Sequence, residues 1–172
     1  WKNQEINFRL NPIKNLALLL HEDIEIFSEL VTNEMGKPLY QSRLEIKKCI
    51  KLCEYYLETS ENVLKDKPIS FSGQKGFIAH EPLGIILGIM PWNFPFWQVF
   101  RFIIPTIIAG NGVLLKHSPN VQGCAIQIEK CFQKSGFPKN LIRNIRLKKN
   151  KVKKVIEHPL VRAISLTGST TA

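Results

Sequence analysis

Acid is scarce in this sequence. Against 24 lysines and arginines stand only 14 aspartates and glutamates in 172 residues, a formal net charge of +10 at pH 7. Between Lys139 and Lys154 the scarcity is complete: Lys139, Arg143, Arg146, Lys148, Lys149, Lys151, Lys153 and Lys154 occur without one acid. Most such runs are solvated faces. A nucleic-acid patch is the other reading, and no stacking aromatic residue interleaves the charges to favour it. Cysteine is sparse too. Cys49 and Cys53 lie one helical turn apart and Cys124 and Cys131 one heptad apart. Neither pair has the CxxC spacing of a zinc or redox site, and four cysteines make no disulfide scaffold. Reduced, mostly buried thiols in a cytoplasmic protein without a metal site are the expectation. No apolar run reaches the ~20 residues of a membrane-spanning helix. The most apolar stretch, Leu83 to Leu115, is interrupted by Pro91, Asn93, Pro95, Arg101, Pro105 and Asn111, so it reads as a buried core element. The charged-then-apolar opening of a signal peptide is missing, and so are internal repeats and low-complexity tracts. The first residue is tryptophan, which predicts a chain that begins inside a longer reading frame or has been trimmed.

What is present is ordinary for a single globular domain: 44% hydrophobic and 22% charged residues in a length able to bury a sizeable core. Leu10, Ile13, Ala17, Leu20, Ile24, Phe27 and Val31 recur at three- and four-residue steps, the stripe of one amphipathic helix or a kinked pair. Asp23 is placed to cap the second half, and Gly36 and Pro38 to stop it. Ile46, Cys49, Ile50, Cys53 and Leu57 predict a second helical face over about Gln41–Lys65, with Glu54, Glu58 and Glu61 on the rest. Ser70 to Gly76 reads as a polar turn and Phe77 to His80 as a short edge strand. Then come a buried strand over Leu83–Met90, a helix over Phe96–Ala109 closed by Gly110-Asn111-Gly112, and a strand over Val113–Leu115. A helix over Val121–Lys134, a strand over Leu141–Leu147, a helix over Lys149–Glu157 and a strand over Val161–Leu166 complete the pattern. Strands alternating with helices predict an α/β fold: a parallel, Rossmann-like sheet with flanking helices and right-handed crossovers. The two leading helices are expected to pack on that sheet.

The chain is organised around Glu81 to Ser118. Pro91, Asn93 and Pro95 fix a turn with little backbone freedom, and Lys116 closes the following strand with a charge. A polar amide and an ammonium at the carboxyl ends of neighbouring strands mark the place where open α/β sheets bind ligands. Each candidate has two readings. Asn93 is a preorganised hydrogen-bond donor to a developing oxyanion or a turn asparagine bonding its own backbone. Lys116 is a ligand contact or a solvated lysine at a strand end. Thr167-Gly168-Ser169, after a strand, is a phosphate-binding helix start or a plain turn. Arg101, in an otherwise apolar helix, pairs with a core carboxylate or reaches the surface. Phe94, Trp97 and Arg101, at i, i+3 and i+7, are expected on one face.

Pro91-Trp92-Asn93-Phe94-Pro95, Ala109-Gly110-Asn111, Leu114-Leu115-Lys116 and Leu166-Thr167-Gly168-Ser169-Thr170 together resemble the aldehyde dehydrogenase superfamily. Phe96 to Phe102, Lys116-His117 and Glu34-Met35-Gly36-Lys37-Pro38 are most similar to its succinate-semialdehyde dehydrogenase branch. The resemblance spans essentially the whole chain, 1–172, but only the front, NAD(P)-binding part of a family member. It implies an incomplete aldehyde dehydrogenase fold without the catalytic and oligomerisation regions. Asn93 then matches the thiohemiacetal oxyanion donor. Ile89, Met90, Pro91, Trp92, Lys116, Ser118 and Pro119 match the cofactor site, and Thr167, Gly168 and Ser169 its pyrophosphate contact. Phe94 and Trp97 match the aldehyde tunnel, and Arg101 the holder of the substrate's distal carboxylate. Two positions depart from relatives. Pro119 stands where NAD-preferring members often carry a glutamate, which admits NADP as readily as NAD, with Ser118 or Lys116 to meet a 2′-phosphate. Near Lys148, relatives usually have a glycine.

The family reaction uses a nucleophilic cysteine and a water-activating glutamate, both well downstream of the Thr-Gly-Ser turn. Cys49, Cys53, Cys124 and Cys131 lie upstream of it and match helical packing positions. The resemblance therefore implies the front part of an enzyme that oxidises a small aldehyde, inactive by itself, whose remainder either lies on a complementing C-terminal chain or was lost; family members are homo-oligomers. The alternative is a non-catalytic remnant or basic binding domain.

Overall fold

The apolar stripe of the first segment folds as two helices, α1 (Ile6–Glu22) and α2 (Ile24–Met35), in the computed structural model, which describes residues 1–170, Phe71 through its backbone alone. Leu10, Ile13, Leu16 and Leu20 of α1 and Phe27 and Val31 of α2 are buried. Asp23 stands between the helices, but its carboxylate makes no capping bond, contrary to the sequence expectation. Its backbone N–H instead donates to Leu19 O at 3.0 Å. Gly36 ends α2 at φ +84°, the left-handed conformation that costs other residues energy. Helix α3 (Leu39–Leu64) buries Ile46, Cys49, Ile50 and Cys53 on one face and exposes Glu54, Glu58 and Glu61 on another region, as its periodicity requires.

After α3 comes an antiparallel hairpin, β1 (Lys67–Phe71) and β2 (Gln74–Ile78), joined at Ser72-Gly73. The polar turn expected over Ser70–Gly76 is thus mostly strand, and β2 ends before Ala79 and His80. Neither strand alternates apolar with polar residues. Backbone pairing alone defines them, and every residue of β2 is exposed.

Strands β3 (Ile85–Met90), β4 (Gly112–His117), β5 (Ile142–Asn144) and β6 (Val161–Leu166) form the main sheet in the order β5-β4-β3-β6. All its pairings are parallel, with Ile86 opposite Val113 and Ala163. Helices α4 (Trp97–Ile108), α5 (Gln122–Lys134) and α6 (Val152–Ile156) connect them. The strand expected over Leu141–Leu147 keeps only three residues, because the chain leaves the sheet after Ile145 N–H bonds Leu115 O. Leu83 is exposed, so the apolar run enters the sheet only at Ile85.

The leading helices were expected to pack on the sheet; instead α1 and α2 pack chiefly on α3, and the three meet α4 and α5, which lie between them and the sheet. The reason is the broad apolar surface of α4. Val99, Phe100, Ile103, Ile104 and Ile107 are fully buried, so this helix has both the sheet and the leading helices to satisfy. Its approach to β3 is close: a Cβ on Gly88 would stand 2.3 Å from the Phe102 ring. A chain of aromatic contacts runs through the core, Phe27–Phe96–Phe100–Phe132–Phe137, with ring centroids 5.2–6.1 Å apart. Truncating a ring such as Phe100 to alanine costs about 3–5 kcal/mol.

The other sheet face is more open. On β6, Arg162, Ile164 and Leu166 are exposed while Val161, Ala163 and Ser165 are half-buried, and β6 pairs only with β3 among the described residues. The helix expected to open after Thr167-Gly168-Ser169 falls at 171 and beyond, outside the described residues.

Candidate functional site

The loop from Pro91 to Phe96 leaves the carboxyl end of β3 and enters α4. Buried groups hold it from two sides. Below, the Glu45 carboxylate of α3 accepts the N–H groups of Phe96 at 2.8 Å and Trp97 at 2.9 Å. It thereby satisfies donors that the first turn of α4 cannot pair internally. Its second oxygen forms an ion pair with Lys37, and both side chains are 5% exposed or less. The Lys37 ammonium also stands 4.0 Å from the centre of the Phe94 ring.

From the sheet side, His117 at the end of β4 is buried under the same loop. Ser118 N–H donates to its Nδ1 at 2.9 Å, so Nε2 carries the proton and donates to Pro95 O, also at 2.9 Å. Burial lowers the His117 pKa, outweighing the Pro95 and Met90 carbonyls that raise it, and so favours the neutral imidazole. Asn111 performs a similar task at the far end of α4. Its side chain donates to Thr106 O at 3.1 Å and accepts Gly84 N–H at 3.0 Å, tying the start of β3 to the end of the helix.

Held in this way, Asn93 is exposed between half-buried Pro91 and buried Pro95. Pro91, Trp92, Asn93 and Gln98 share a cavity of about 240 Å³ with Thr167, Gly168 and Ser169. An adjoining cavity of about 230 Å³ is lined by Met90, Gln98, Arg101, Phe102, Ser165 and Thr167. Arg101 has no core carboxylate: it is exposed, and its Nη2 donates to Thr167 Oγ1 at 3.4 Å. Phe94 and Trp97 line neither cavity. The Lys48 ammonium lies 4.0 Å from the Trp97 ring, and Phe94 precedes the first residue of α4. The structure therefore brings Asn93 near the Thr-Gly-Ser turn and Arg101 near Thr167, but gathers no common pocket of Phe94, Trp97 and Arg101.

A larger cleft of about 750 Å³ opens at the carboxyl ends of β3, β4 and β5. Ile89, Lys116, Pro119 and Ser169 line it, together with His117, Gln122, Leu147 and Val152. Arg146, Lys148 and Lys149 add three further cations to its wall. Ser169 belongs to both this cleft and the Asn93 cavity, so the two spaces adjoin. Ser118 stands beside the cleft, its hydroxyl donating to Asn120 Oδ1 at 2.6 Å.

Sequence reasoning passed over Glu45, Gln98 and His117. Glu45 carried a signal, since it falls one turn before Cys49 on the buried face of α3. The Gln98 Oε1 is buried without a hydrogen-bond partner among the described residues while its side chain lines both smaller cavities. The four cysteines are all buried. Burial raises each thiol: Cys53 and Cys131 to about 12, and Cys49 and Cys124 upward as well, so none is a thiolate near neutral pH. Among the described residues no group of acid, histidine and cysteine side chains could hold a metal ion, and no helix is long and apolar enough to cross a membrane.

Comparison with known proteins places this geometry. The chain is 39% identical over 172 residues to the NAD(P)+ succinate semialdehyde dehydrogenase Sad of Escherichia coli (strain K12), covering all of this chain and 37% of that protein. It is 39% identical over 160 residues to a probable NADP+ succinate-semialdehyde dehydrogenase of Synechocystis sp. (strain ATCC 27184 / PCC 6803 / Kazusa), covering 93% and 35%. The chain thus spans little more than a third of the length of these curated relatives. Among solved structures, the fold matches succinic semialdehyde dehydrogenase from Streptococcus pyogenes in complex with NADP+ with a TM-score of 0.92 at 25% identity, over 95% of this chain and 36% of that one. It matches Gox0499, whose structure addresses cofactor and substrate selection, with a TM-score of 0.93 at 34% identity over 95% and 36%. The α/β sheet and its helices are accordingly a partial version of that fold. The aldehyde dehydrogenase family model matches residues 1–172, and the chain belongs to the aldehyde dehydrogenase family.

Proposed function

We propose that this chain is the cofactor-side, N-terminal part of an NAD(P)-dependent aldehyde dehydrogenase acting on succinate semialdehyde, completed by a C-terminal segment or chain. The observation that carries the reading is the shared cavity of Asn93 and Thr167-Gly168-Ser169, which adjoins the basic cleft through Ser169. The cleft suits a dinucleotide. Ile89, Leu147 and Val152 offer apolar wall to a purine, and Lys116 offers a charged donor at the end of β4. When bound, the cofactor supplies the hydride acceptor. The residues of this chain bind and orient. Ile89, Met90, Pro91, Trp92, Lys116, Ser118 and Pro119 form the cofactor bed, and Thr167, Gly168 and Ser169 meet its diphosphate.

Asn93 donates its amide N–H to the oxygen of the aldehyde as that oxygen gains charge, an interaction worth roughly 3–4 kcal/mol of barrier. The loop suits that task because Glu45 and His117 fix it at Phe96, Trp97 and Pro95. Arg101 offers a guanidinium to a distal carboxylate, and Phe94 and Trp97 flank the approach. The nucleophile and the general base belong to the completing part. The test is formation of reduced cofactor from succinate semialdehyde by the purified chain, with and without a supplied C-terminal fragment of a relative. Turnover is expected only with the fragment, and an Asn93→Ala version should lose about two to three orders of magnitude in kcat. A complemented Asn93→Ala enzyme as fast as wild type would refute the assignment.

A further inference from the structure

Helices α4 and α5 start without caps of their own. Phe96 precedes α4 and Val121 precedes α5, and neither side chain offers an acceptor to the first N–H groups. Both caps come from one corner of the molecule, where α2 turns into α3 through Glu34-Met35-Gly36-Lys37-Pro38. Glu45 serves α4 through the Phe96 and Trp97 amides. Glu34 serves α5: its Oε1 accepts Gly123 N–H and its Oε2 accepts Cys124 N–H, both at 2.7 Å. A carboxylate in that place also faces the positive end of the helix dipole. The fit is close. A Cβ on Gly123 would stand 2.5 Å from Glu34 Oε1, so the carboxylate fills the space a side chain would take. Thr32 Oγ1 and Ser42 Oγ, 2.9 Å apart, fasten α2 to α3 across the same turn and hold the two carboxylates on one support.

What precedes α5 is the rim of the large cleft. The chain runs from Lys116 at the end of β4 through Ser118 and Pro119 to Gln122, and Lys116, Pro119 and Gln122 line the cleft. Gln122 folds back on this rim, its Nε2 donating to Ser118 O at 2.9 Å and to His117 O at 3.3 Å. Glu34 grips the next two residues. We infer that Glu34 is a positioning residue for the cleft, and that the α2–α3 corner sets the cleft rim against the Asn93 loop, with Glu34 as one arm and Glu45 as the other. This rests on reading the cleft as the cofactor site. Glu34 does not line the cleft, so it acts through Gly123, Cys124 and the rim they anchor.

Isothermal titration of the purified chain with NADP+ tests the Glu34 arm. Glu34→Ala removes two charge-assisted bonds and should weaken binding about tenfold. Gly123→Ala should do the same, because its methyl group displaces the carboxylate. The Glu34→Ala/Gly123→Ala double variant should bind no more weakly than either single one, since both changes remove one contact. Glu34→Gln keeps one acceptor oxygen and should fall between wild type and Glu34→Ala; it and Gly123→Ala carry the test should Glu34→Ala fail to fold. Phe132→Leu, in the buried face of α5, controls for general loosening. It should lower the urea midpoint and leave NADP+ affinity within about twofold. Unchanged affinity in folded Glu34→Ala or Gly123→Ala would overturn the inference and leave the cofactor-site reading standing. So would losses that multiply in the double variant, or an equal loss in Phe132→Leu, either of which would make Glu34 a cap and nothing more. A wild-type chain that binds no NADP+ would remove the cofactor-site reading and this inference with it.

Discussion

Replacing Glu45 should weaken this protein more than replacing any exposed charge. Its carboxylate is surrounded by Lys37 and by the Phe96 and Trp97 amides, with the side chain 1% exposed. Glu45→Ala leaves the Lys37 ammonium buried without its counter-charge and two amide donors unpaired. Breaking a buried ion pair from one side costs about 3–5 kcal/mol, mostly through the stranded charge. For a chain of this size each kcal/mol lowers Tm by about 2–4 °C, so the melt should fall by about 6–20 °C. Lys37→Met combined with Glu45→Met removes both charges and should recover much of the loss, leaving the uncapped start of α4 as the residue of the effect. Urea unfolding followed by circular dichroism measures all three proteins. A Glu45→Ala loss under about 1 kcal/mol, the level of a solvated surface pair, would refute the reasoning.

His117 carries a pH signature. Its folded pKa is lowered by burial, so its contribution is fully present above the unfolded value of about 6.5 and is lost as pH falls through the folded value. Urea midpoints should drop between pH 7.5 and 5, and His117→Gln should flatten that segment of the profile; an unchanged slope would contradict it. The buried thiols should resist a thiol reagent in the native chain and react together in denaturant, and rapid native labelling of Cys49 or Cys124 would disprove their burial. The open edge of β6, with Ile164 44% and Leu166 53% exposed, should promote self-association of the isolated chain. Ile164→Lys should reduce the sedimenting size, and a monodisperse monomer before the change would count against that edge.

The sequence made the parallel sheet legible because its strands are apolar runs bounded by turn residues: Ile85–Met90 after Pro82 and before Pro91, and Val161–Leu166 after Pro159. It made the Asn93 loop legible through its two prolines. The hairpin was obscure because Lys67–Phe71 and Gln74–Ile78 are stabilised by backbone pairing and carry no buried face among the described side chains. For Arg101 the sequence left a core carboxylate and the surface both open, and the surface is where it lies. Its apolar neighbours in α4 face the core while Arg101 projects to Thr167 at an open face of the helix. Glu45 and His117 were obscure for another reason. The position of Glu45 on the buried face of α3 hinted at burial, but the partners, Phe96 for Glu45 and Pro95 for His117, are distant in sequence and are brought against them only by the tertiary fold.

The central claim is that Asn93 and Arg101 divide the work on a dicarboxylic semialdehyde, Asn93 at the reacting oxygen and Arg101 at the far carboxylate. It is tested most directly by fusing residues 1–172 to the C-terminal part of a relative and measuring kcat/KM for succinate semialdehyde and butanal. A guanidinium–carboxylate contact is worth roughly 1.5–3 kcal/mol and is useless to butanal, so Arg101→Ala should cut the succinate-semialdehyde preference by about one to two orders of magnitude. Asn93→Ala should slow both aldehydes alike, because both develop the same oxyanion. Equal losses for the two aldehydes in the Arg101 variant would make this arginine structural and contradict the assignment to succinate semialdehyde.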